Sequence, residues 1–299
     1  MVGVVARTDR GDRKDIMTIA VTAATGQLGT LVIDALLDRT SPDQIVAIAR
    51  DAAKAEPLAA KGVTVRIAGY DDPAALEEAL AGVDRLLLIS GNEFGKRFGQ
   101  HRNVIDAAIA AGVTRLVYTS APQVDTSTLP VAPEHLETEN YLATTDLEHA
   151  LLRNNWYTEN YAPGLESAAA TGSVLTSAGD GLVASAARKD YAEAAAVVLT
   201  SDGPLKRVYE LAGDVAWSQS DLAAAFASAL GTPVSVAHVS GDEQASILSS
   251  AGVDPGAVSF IVSTDASIAQ GGLALATGEL SALIGRPTTP LVETFSSKV

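Results

Sequence analysis

The fold is decided by Thr18-Ile-Ala-Val-Thr-Ala-Ala-Thr-Gly-Gln-Leu-Gly29, a pattern typical of an apolar strand, a turn of small residues and the start of a helix. In α/β proteins this unit places backbone N–H groups and the positive end of a helix dipole against a dinucleotide pyrophosphate. The usual fingerprint begins with glycine, whereas here Ala23 opens the spacing Ala23-x-x-Gly26-x-x-Gly29, and alanine resists a positive φ. The stretch predicts a nicotinamide cofactor site with one departure from the fingerprint.

Composition limits the classes of partner. The chain has 299 residues, 47% of them hydrophobic, enough for one large α/β domain or two smaller ones. A formal net charge of −15 repels phosphate backbones and anionic lipid, so we expect neither nucleic acid nor a membrane surface as a partner. The absence of cysteine excludes disulfides and thiolate chemistry, and the four histidines are too widely spaced for a local metal motif. A small-molecule substrate and no metal are expected.

The first sixteen residues differ from the rest of the sequence. Residues 1–16 mix acidic and basic side chains and lack the apolar core of a signal peptide, and no apolar run approaches the roughly 18 residues of a membrane span. We expect a disordered extension over 1–16, a fold that begins at Met17, and a cytoplasmic location.

From Met17 the pattern alternates short apolar runs with amphipathic segments of helical length, which predicts a doubly wound parallel sheet of the Rossmann-like α/β class. Six strands are predicted over residues 18–21, 44–49, 63–67, 85–89, 115–119 and 150–152. Helices are predicted over 29–38, 51–61, 72–81, 96–111 and 134–145. Residues 17–155 are therefore expected to form a dinucleotide-binding domain. Residues 156–299 are expected to form a smaller α/β lobe, with a helix over 189–199, a strand over 207–211, a helix capped by Ser220, a strand over 234–239 and a helical tail.

Ligands bind such sheets just beyond the carboxyl ends of the strands, so the residues there are the candidate cofactor ligands. The first turn offers Thr22, Ala24, Thr25, Gly26, Gln27 and Leu28. Arg50 follows the second strand and favours the 2′-phosphate of NADP(H), although a solvated surface arginine is the alternative. Asp51 and Asp72 are expected to cap helices, and Asp71 is expected to meet the adenine.

The next two strand ends are placed near the nicotinamide half of the cofactor. Ser90, Gly91 and Asn92 follow the fourth strand, and Gly91 permits close approach of the backbone. Thr119 and Ser120 follow the fifth strand, where their hydroxyls either face the nicotinamide or satisfy backbone groups of the turn.

An aromatic and amide cluster follows the sixth strand. Asn154 and Trp156 are candidates for cofactor contact, and Trp156, Tyr157, Asn160 and Tyr161 are candidates for stacking or hydrogen bonding with a flat substrate. Aromatic packing between the two lobes is the alternative for Trp156. The proton-donating Tyr-x-x-x-Lys of short-chain dehydrogenases is absent, which leaves His135 as the best ionisable candidate, unless it is an exposed histidine at a helix start. The catalytic candidates are His135, Ser120 and Tyr157.

The chain resembles the atypical short-chain dehydrogenases of the NmrA-like group, nearest to the branch with bacterial NAD(P)H:quinone oxidoreductases and triphenylmethane reductases. The motifs that carry the resemblance are Ala-Thr-Gly-Gln-Leu-Gly at 24–29, Gln-His-Arg-Asn-Val-Ile-Asp-Ala-Ala at 100–108, Val-Tyr-Thr-Ser at 117–120 and Leu-Leu-Arg-Asn-Asn-Trp-Tyr-Thr-Glu-Asn at 151–160. Ala23, Gly69 and Leu-Glu-His at 147–149 depart from the pattern of the group.

The resemblance implies an NADPH-binding Rossmann domain, a small C-terminal domain and hydride transfer to quinones or other conjugated acceptors, which need no strong acid. It also implies that His135 stands where isoflavone-reductase-like enzymes carry a lysine. The rival hypothesis is an NAD(P)-sensing regulator with the same fold, as other NmrA-like proteins are. The sequence leaves the oligomeric state open, with a homodimer as one candidate.

Overall fold

The computed structural model describes residues 17–296, so the extension expected over 1–16 lies outside the described residues. Its centre is a seven-stranded sheet in the order β3-β2-β1-β4-β5-β6-β8, and every neighbouring pair of strands is parallel. The strands of this sheet are β1 Ile19–Val21, β2 Ile45–Ala49, β3 Thr64–Ile67, β4 Arg85–Leu88, β5 Arg115–Ser120, β6 Glu148–Asn154 and β8 Val208–Leu211.

The central strands form because they are short, almost continuously apolar runs that both faces of a parallel sheet can bury. Every residue of β2 and β5 is buried. The chain leaves β1 toward β2 on one side and returns to β4 on the other, so the strand order reverses between β1 and β4. The carboxyl ends of β1 and β4 therefore form the crevice where a doubly wound sheet binds its ligand.

Helices cover both faces of the sheet. One face packs against α1, α2, α7 and α11, and the other against α3, α4 and α5. These helices are α1 Gln27–Leu37, α2 Ala52–Ala59, α3 Pro73–Leu80, α4 Arg97–Ala110, α5 Ala132–Ala143, α7 Arg188–Thr200 and α11 Glu279–Ile284. None of the helices within residues 17–296 is long and apolar enough to cross a membrane.

A separate apolar core holds the smaller lobe together. It is centred on Trp217, Phe226 and Phe295 and lies beside a two-stranded parallel sheet formed by β7 and β9. The elements of this region are β7 Ser173–Thr176, β9 Ser235–His238, α6 Ala162–Thr171, α8 Gln219–Leu230, α9 Gly241–Ser250, α10 Pro255–Ala269 and α12 Leu291–Ser296.

Two predictions from the sequence are corrected. The sequence places the strand over 207–211 in the smaller lobe, but the corresponding β8 pairs with β6 and is the seventh strand of the main sheet, because the chain returns to that edge after α7. The helix expected to be capped by Ser220 is capped by Ser218, whose hydroxyl accepts the Asp221 N–H. The division into lobes at residues 155 and 156 stays a prediction.

Candidate active site

The turn after β1 has the geometry of a dinucleotide fingerprint despite its alanine. Ala23 has φ +47°, in the left-handed region that favours glycine. Its carbonyl accepts the N–H of Gly26 at 2.9 Å. A Cβ on Gly29 would lie 2.3 Å from that same oxygen and 2.8 Å from the Cα of Ala24, so α1 packs directly on the turn and requires glycine at this position.

The N-terminus of α1 is suited to an anion. Gly26 is the N-cap and provides no side-chain cap, and the first turn of the helix carries no acidic residue. The partly or fully exposed residues of the turn are Ala23, Thr25, Gly26 and Gln27. The buried ones are Thr22, Ala24 and Leu28. Backbone N–H groups at this helix end, together with the helix dipole, favour a pyrophosphate.

Arg50 extends from the end of β2 into solvent, with 76% of its side chain exposed. The methylenes of its stem lie over Gly69, where a Cβ would be 3.7 Å from the Arg50 Cγ. The guanidinium lies 3.7 Å from a carboxylate oxygen of Glu93. Because it is exposed at the edge of the crevice, the Arg50 guanidinium can exchange its carboxylate partner for a phosphate.

The aspartates near the second and third strands have different partners. Asp51 caps α2 by accepting the N–H of Ala53 at 2.9 Å, and Asp72 caps α3, which confirms both predictions. Asp71 instead accepts hydrogen bonds from the amide of Gln100 at 3.2 and 3.3 Å. The Asp71 carboxylate is thus already engaged by a side chain of α4.

The ends of β4 and β5 are linked by side chains. The Thr119 hydroxyl accepts the Ser90 N–H at 2.9 Å, so it satisfies the backbone of the neighbouring strand. The N–H of Gly91 donates to Nε2 of His101 at 2.9 Å. Asn92 is exposed. The backbone after β4 is therefore fixed by contacts from β5 and α4.

Ser120 belongs to a buried ionic cluster that the sequence analysis missed. Its hydroxyl donates to Glu139 at 2.5 Å. Arg153 of β6 holds the same carboxylate with two hydrogen bonds of 3.0 and 2.6 Å and also pairs with Asp125 and Glu210. Because the Ser120 proton is committed to Glu139, the lone pairs of the Ser120 oxygen remain for a donor. Ser120, Glu139 and Arg153 lie on β5, α5 and β6, so no local pattern in the sequence indicates the cluster.

His135 is buried in a hydrogen-bonded layer below the strand ends. Its Nδ1 lies 2.7 Å from the hydroxyl of Tyr118, which leaves Nε2 for any ligand. His101 lies in the same layer, with Nδ1 3.0 Å from Thr138 Oγ1. Burial, and secondarily the charge of Arg97, lower the pKa of both imidazoles from 6.5 to about 3. Both histidines are therefore neutral at pH 7, and the expectation of an exposed His135 at a helix start does not hold.

Asn154 and Tyr157 are brought together at the end of β6. The Asn154 amide donates to the Tyr157 hydroxyl at 3.2 Å, whereas its buried Oδ1 has no hydrogen-bond partner in the part of the chain that the structure describes. The Tyr157 ring packs edge-on against Tyr191, and the guanidinium of Arg188 lies over it at 4.9 Å. Burial raises the pKa of Tyr157 above its usual 10, so the phenol keeps its proton.

The other aromatic candidates lie farther along this segment. Trp156 is half-buried and stacks on Phe260 of α10, with ring centroids 6.1 Å apart. The side chain of Asn160 is exposed and accepts a hydrogen bond from Arg188 at 3.2 Å. Tyr161 packs against Trp217 in the core of the smaller lobe, and its buried hydroxyl has no hydrogen-bond partner among the described residues. The structure thus places Asn154, Trp156 and Tyr157 at the carboxyl end of β6 and Tyr161 deeper in the second lobe.

The combined arrangement is a crevice with an anion-binding helix end, a surface arginine and a polar wall. Within residues 17–296, no group of three or more histidine, aspartate and glutamate side chains could hold a metal ion. The hydrogen-bonding groups of the crevice are neutral or already paired. Such a site suits a cofactor that carries the reactive group itself.

Comparison with known proteins identifies the family. Residues 23–202 match the family model described as NAD(P)H-binding. The chain belongs to this NAD(P)H-binding family. Quinone oxidoreductase 2 of Escherichia coli strain K12 is 49% identical over 278 residues, which cover 93% of this chain and 97% of that protein.

Two solved structures of relatives share the fold in detail. The crystal structure of the NADPH-dependent quinone oxidoreductase of Escherichia coli complexed with NADPH matches with a TM-score of 0.90 and 48% identity, over 94% of this chain and 99% of that one. The Citrobacter sp. triphenylmethane reductase complexed with NADP(H) matches with a TM-score of 0.90 and 38% identity, over 94% of this chain and all of that one. These matches confirm the Rossmann-like α/β fold and the resemblance to the quinone and triphenylmethane reductases.

Proposed function

We propose that this protein is an NADPH-dependent reductase that transfers hydride to a quinone or another conjugated aromatic or carbonyl acceptor. The observation that carries the proposal is the agreement of the whole fold with the NADPH complex of the Escherichia coli quinone oxidoreductase, at a TM-score of 0.90 and 48% identity. The relatives described above are reductases, which favours an enzyme over the regulator that senses NAD(P).

The residues of the crevice fit NADPH. The buried Asn154 Oδ1 has no hydrogen-bond partner among residues 17–296, and an amide N–H of the nicotinamide carboxamide is a donor of the right kind for it. The turn from Ala23 to Gly29 leaves a helix N-terminus without side-chain caps for the pyrophosphate. Arg50 would hold the 2′-phosphate, with Ser90, Gly91 and Thr119 lining the nicotinamide half.

Bound NADPH supplies a hydride, and the chain supplies orientation and hydrogen bonds. Tyr157 is the residue best placed to stabilise negative charge on the acceptor oxygen. Its hydroxyl accepts from Asn154 and so keeps its own proton for donation, and its raised pKa keeps it a neutral donor. We assign Tyr157 the role of hydrogen-bond donor to the reduced carbonyl.

Ser120 and His135 have supporting roles in this proposal. The Ser120 hydroxyl donates to Glu139, so its oxygen accepts a hydrogen bond from the cofactor or the reduced acceptor. His135 is neutral at pH 7 because burial lowers its pKa to about 3, and it orients Tyr118 through Nδ1. Neither residue supplies a strong acid, which restricts the acceptors to those that delocalise the charge they receive.

The experiment is a steady-state assay of NADPH oxidation against quinones, conjugated enones and triphenylmethane dyes. Turnover with quinones supports the proposal. NADPH binding without turnover of any acceptor refutes it and favours the regulator, which would also discriminate NADP⁺ from NADPH in titration calorimetry. Tyr157→Phe is expected to lower kcat about 100-fold or more, the usual cost of losing one preorganised donor, and to leave the Kd of NADPH unchanged. Equal kcat values for wild type and variant would contradict the assigned role of Tyr157.

The proposed partner is a small-molecule acceptor taken from the cytoplasm. The net charge of −15 supports this choice over nucleic acid or a membrane surface. Light scattering at several protein concentrations would decide between a monomer and the proposed homodimer.

A further inference from the structure

Phe94 is an exposed aromatic side chain on the segment that follows β4, and 54% of it is accessible to solvent. The segment is held by α4 and α5: the Gly91 carbonyl accepts from Arg97 Nε at 2.7 Å, and the Gly95 N–H donates to Glu134 at 3.0 Å. The Arg97 guanidinium lies 4.8 Å from the centroid of the Phe94 ring. The ring is therefore exposed and also held in place.

Phe260 of α10 connects this ring to the other side of the crevice. Its ring centroid lies 5.7 Å from that of Phe94, at an interplanar angle of 58°. It also stacks on Trp156, with ring centroids 6.1 Å apart and an interplanar angle of 24°. The row Phe94–Phe260–Trp156 thus runs from the segment after β4 to the segment after β6.

The position of the row relative to the strands indicates which part of the crevice it covers. β5 lies between β4 and β6, so rings that connect the segments after those two strands span the carboxyl end of β5, where Thr119 and Ser120 stand. Phe94 and Phe260 belong to none of the three apolar cores, whereas Trp156 packs on the core of the smaller lobe. Core packing does not account for the two phenylalanines. Phe94 is exposed and Phe260 is partly exposed, so a ligand can reach both rings.

We propose that the row Phe94–Phe260–Trp156 determines acceptor specificity by binding the part of a fused-ring quinone that extends beyond its reacting ring. This inference rests on the proposed function and specifies its substrate class. An acceptor with one ring reaches the row only at its inner end, at Trp156 beside Asn154 and Tyr157. A fused second ring reaches outward to Phe260 and Phe94 and gains aromatic contacts that the smaller quinone does not have.

The test compares 1,4-benzoquinone with 1,4-naphthoquinone at saturating NADPH. Phe260→Leu and Phe94→Leu keep apolar volume and remove the ring, and Phe98→Leu is the matched control, since Phe98 packs on Tyr141 outside the row. An aromatic pair contributes an amount that corresponds to a change of about two- to tenfold. We expect Phe260→Leu to lower kcat/KM for naphthoquinone by that factor and to leave kcat/KM for benzoquinone unchanged, with a smaller effect for Phe94→Leu and none for Phe98→Leu.

An equal loss for both quinones, or no loss for either, overturns the role of the row. A separate measurement distinguishes this failure from failure of the proposed function. If wild-type protein oxidises no NADPH with either quinone, the proposed reductase activity is refuted. The row is then judged by the Kd of naphthoquinone for the NADPH complex, measured by quenching of tryptophan fluorescence. Phe260→Leu must raise that Kd and Phe98→Leu must not, and equal Kd values overturn the inference.

Discussion

The two buried histidines predict a specific instability in mild acid. His101 is fully buried between Gly91, whose N–H donates to Nε2, and Thr138, which Nδ1 contacts at 3.0 Å. His135 is 6% exposed and is bonded to Tyr118. A proton on either ring would add a charge in a layer that already contains the cation Arg97, which is why the pKa of each falls from 6.5 to about 3.

The size and sign of the effect follow from proton linkage. In the unfolded chain both histidines take up a proton near pH 6.5, whereas in the folded protein they do so only near pH 3. Stability is therefore complete above pH 6.5 and is lost as the pH falls toward 3. Between pH 7 and pH 5 each histidine should remove about 2 kcal/mol from the free energy of unfolding, or about 4 kcal/mol together. That amount is a large part of the roughly 5–15 kcal/mol that stabilises an ordinary domain.

The assay is urea unfolding at pH 7 and pH 5, followed by circular dichroism. The variant that tests the argument is the double substitution of His101 and His135 by glutamine, which retains hydrogen-bonding groups and does not titrate. The double variant is expected to be less stable than the wild type at pH 7. Its free energy of unfolding should change little between pH 7 and pH 5. His238→Gln is the control at an exposed histidine, with the wild-type dependence. The reasoning would be refuted if the free energy of unfolding of the wild type fell by less than about 1 kcal/mol between pH 7 and pH 5, which is about half the contribution of one histidine. It would also be refuted if the double variant showed the same fall as the wild type.

Three further substitutions test the cofactor crevice. Ala23→Gly removes a left-handed alanine at φ +47° and should raise the free energy of unfolding by about 1 kcal/mol, measured by urea titration, while the Kd of NADPH stays unchanged because the turn keeps its shape. Gly29→Ala would place a Cβ 2.3 Å from a carbonyl oxygen and should cost about 3 kcal/mol or more and abolish NADPH binding in calorimetry. Arg50→Ala should weaken NADPH about tenfold and NADH hardly at all, because one charge-assisted contact to the 2′-phosphate is lost. Equal weakening of both cofactors would show that Arg50 does not recognise the phosphate.

Local sequence signals were sufficient for most of the sheet. The apolar runs predicted β1 to β6 in their parallel arrangement, and the caps Asp51 and Asp72 were correct because capping depends on residues within one turn of the helix. The place of β8 could not be found in this way. Its pattern indicates a strand but does not indicate the edge with which the strand pairs, and that choice depends on where α7 returns the chain.

The residues of the candidate site also fall into those that local sequence patterns predict and those that only the folded structure brings together. Arg50 and the turn around Gly26 follow directly from a strand end and a helix start. The bond between Ser120 and Glu139, the unpaired Asn154 Oδ1 and the contact of Phe260 with Trp156 join residues 19 to more than 100 positions apart or depend on what is missing around an atom. No periodicity in the sequence records such contacts, so they emerge only from the folded chain.

The departure of Ala23 from the fingerprint illustrates how little a residue change can alter the backbone. The turn adopts the glycine conformation with an alanine, because the Gly26 N–H and the close approach of α1 at Gly29 both fix the Ala23 carbonyl. Strain of about 1–2 kcal/mol at one residue is small beside the packing of α1 on the sheet. The fingerprint is therefore better defined by Gly29, where a Cβ has no space, than by the first position.

The pairing of Glu139 and of both buried histidines connects the architecture with the range of acceptors. Glu139 is bound by Arg153 and Ser120, and both histidines are neutral and hydrogen-bonded. A saturated ketone that received hydride here would become a localised alkoxide and would need a proton in the same step, which none of these groups supplies. A quinone spreads the charge over its ring and second oxygen, and one neutral donor such as Tyr157 is then sufficient. The same arrangement that dispenses with Tyr-x-x-x-Lys should leave simple ketones unreduced while quinones turn over.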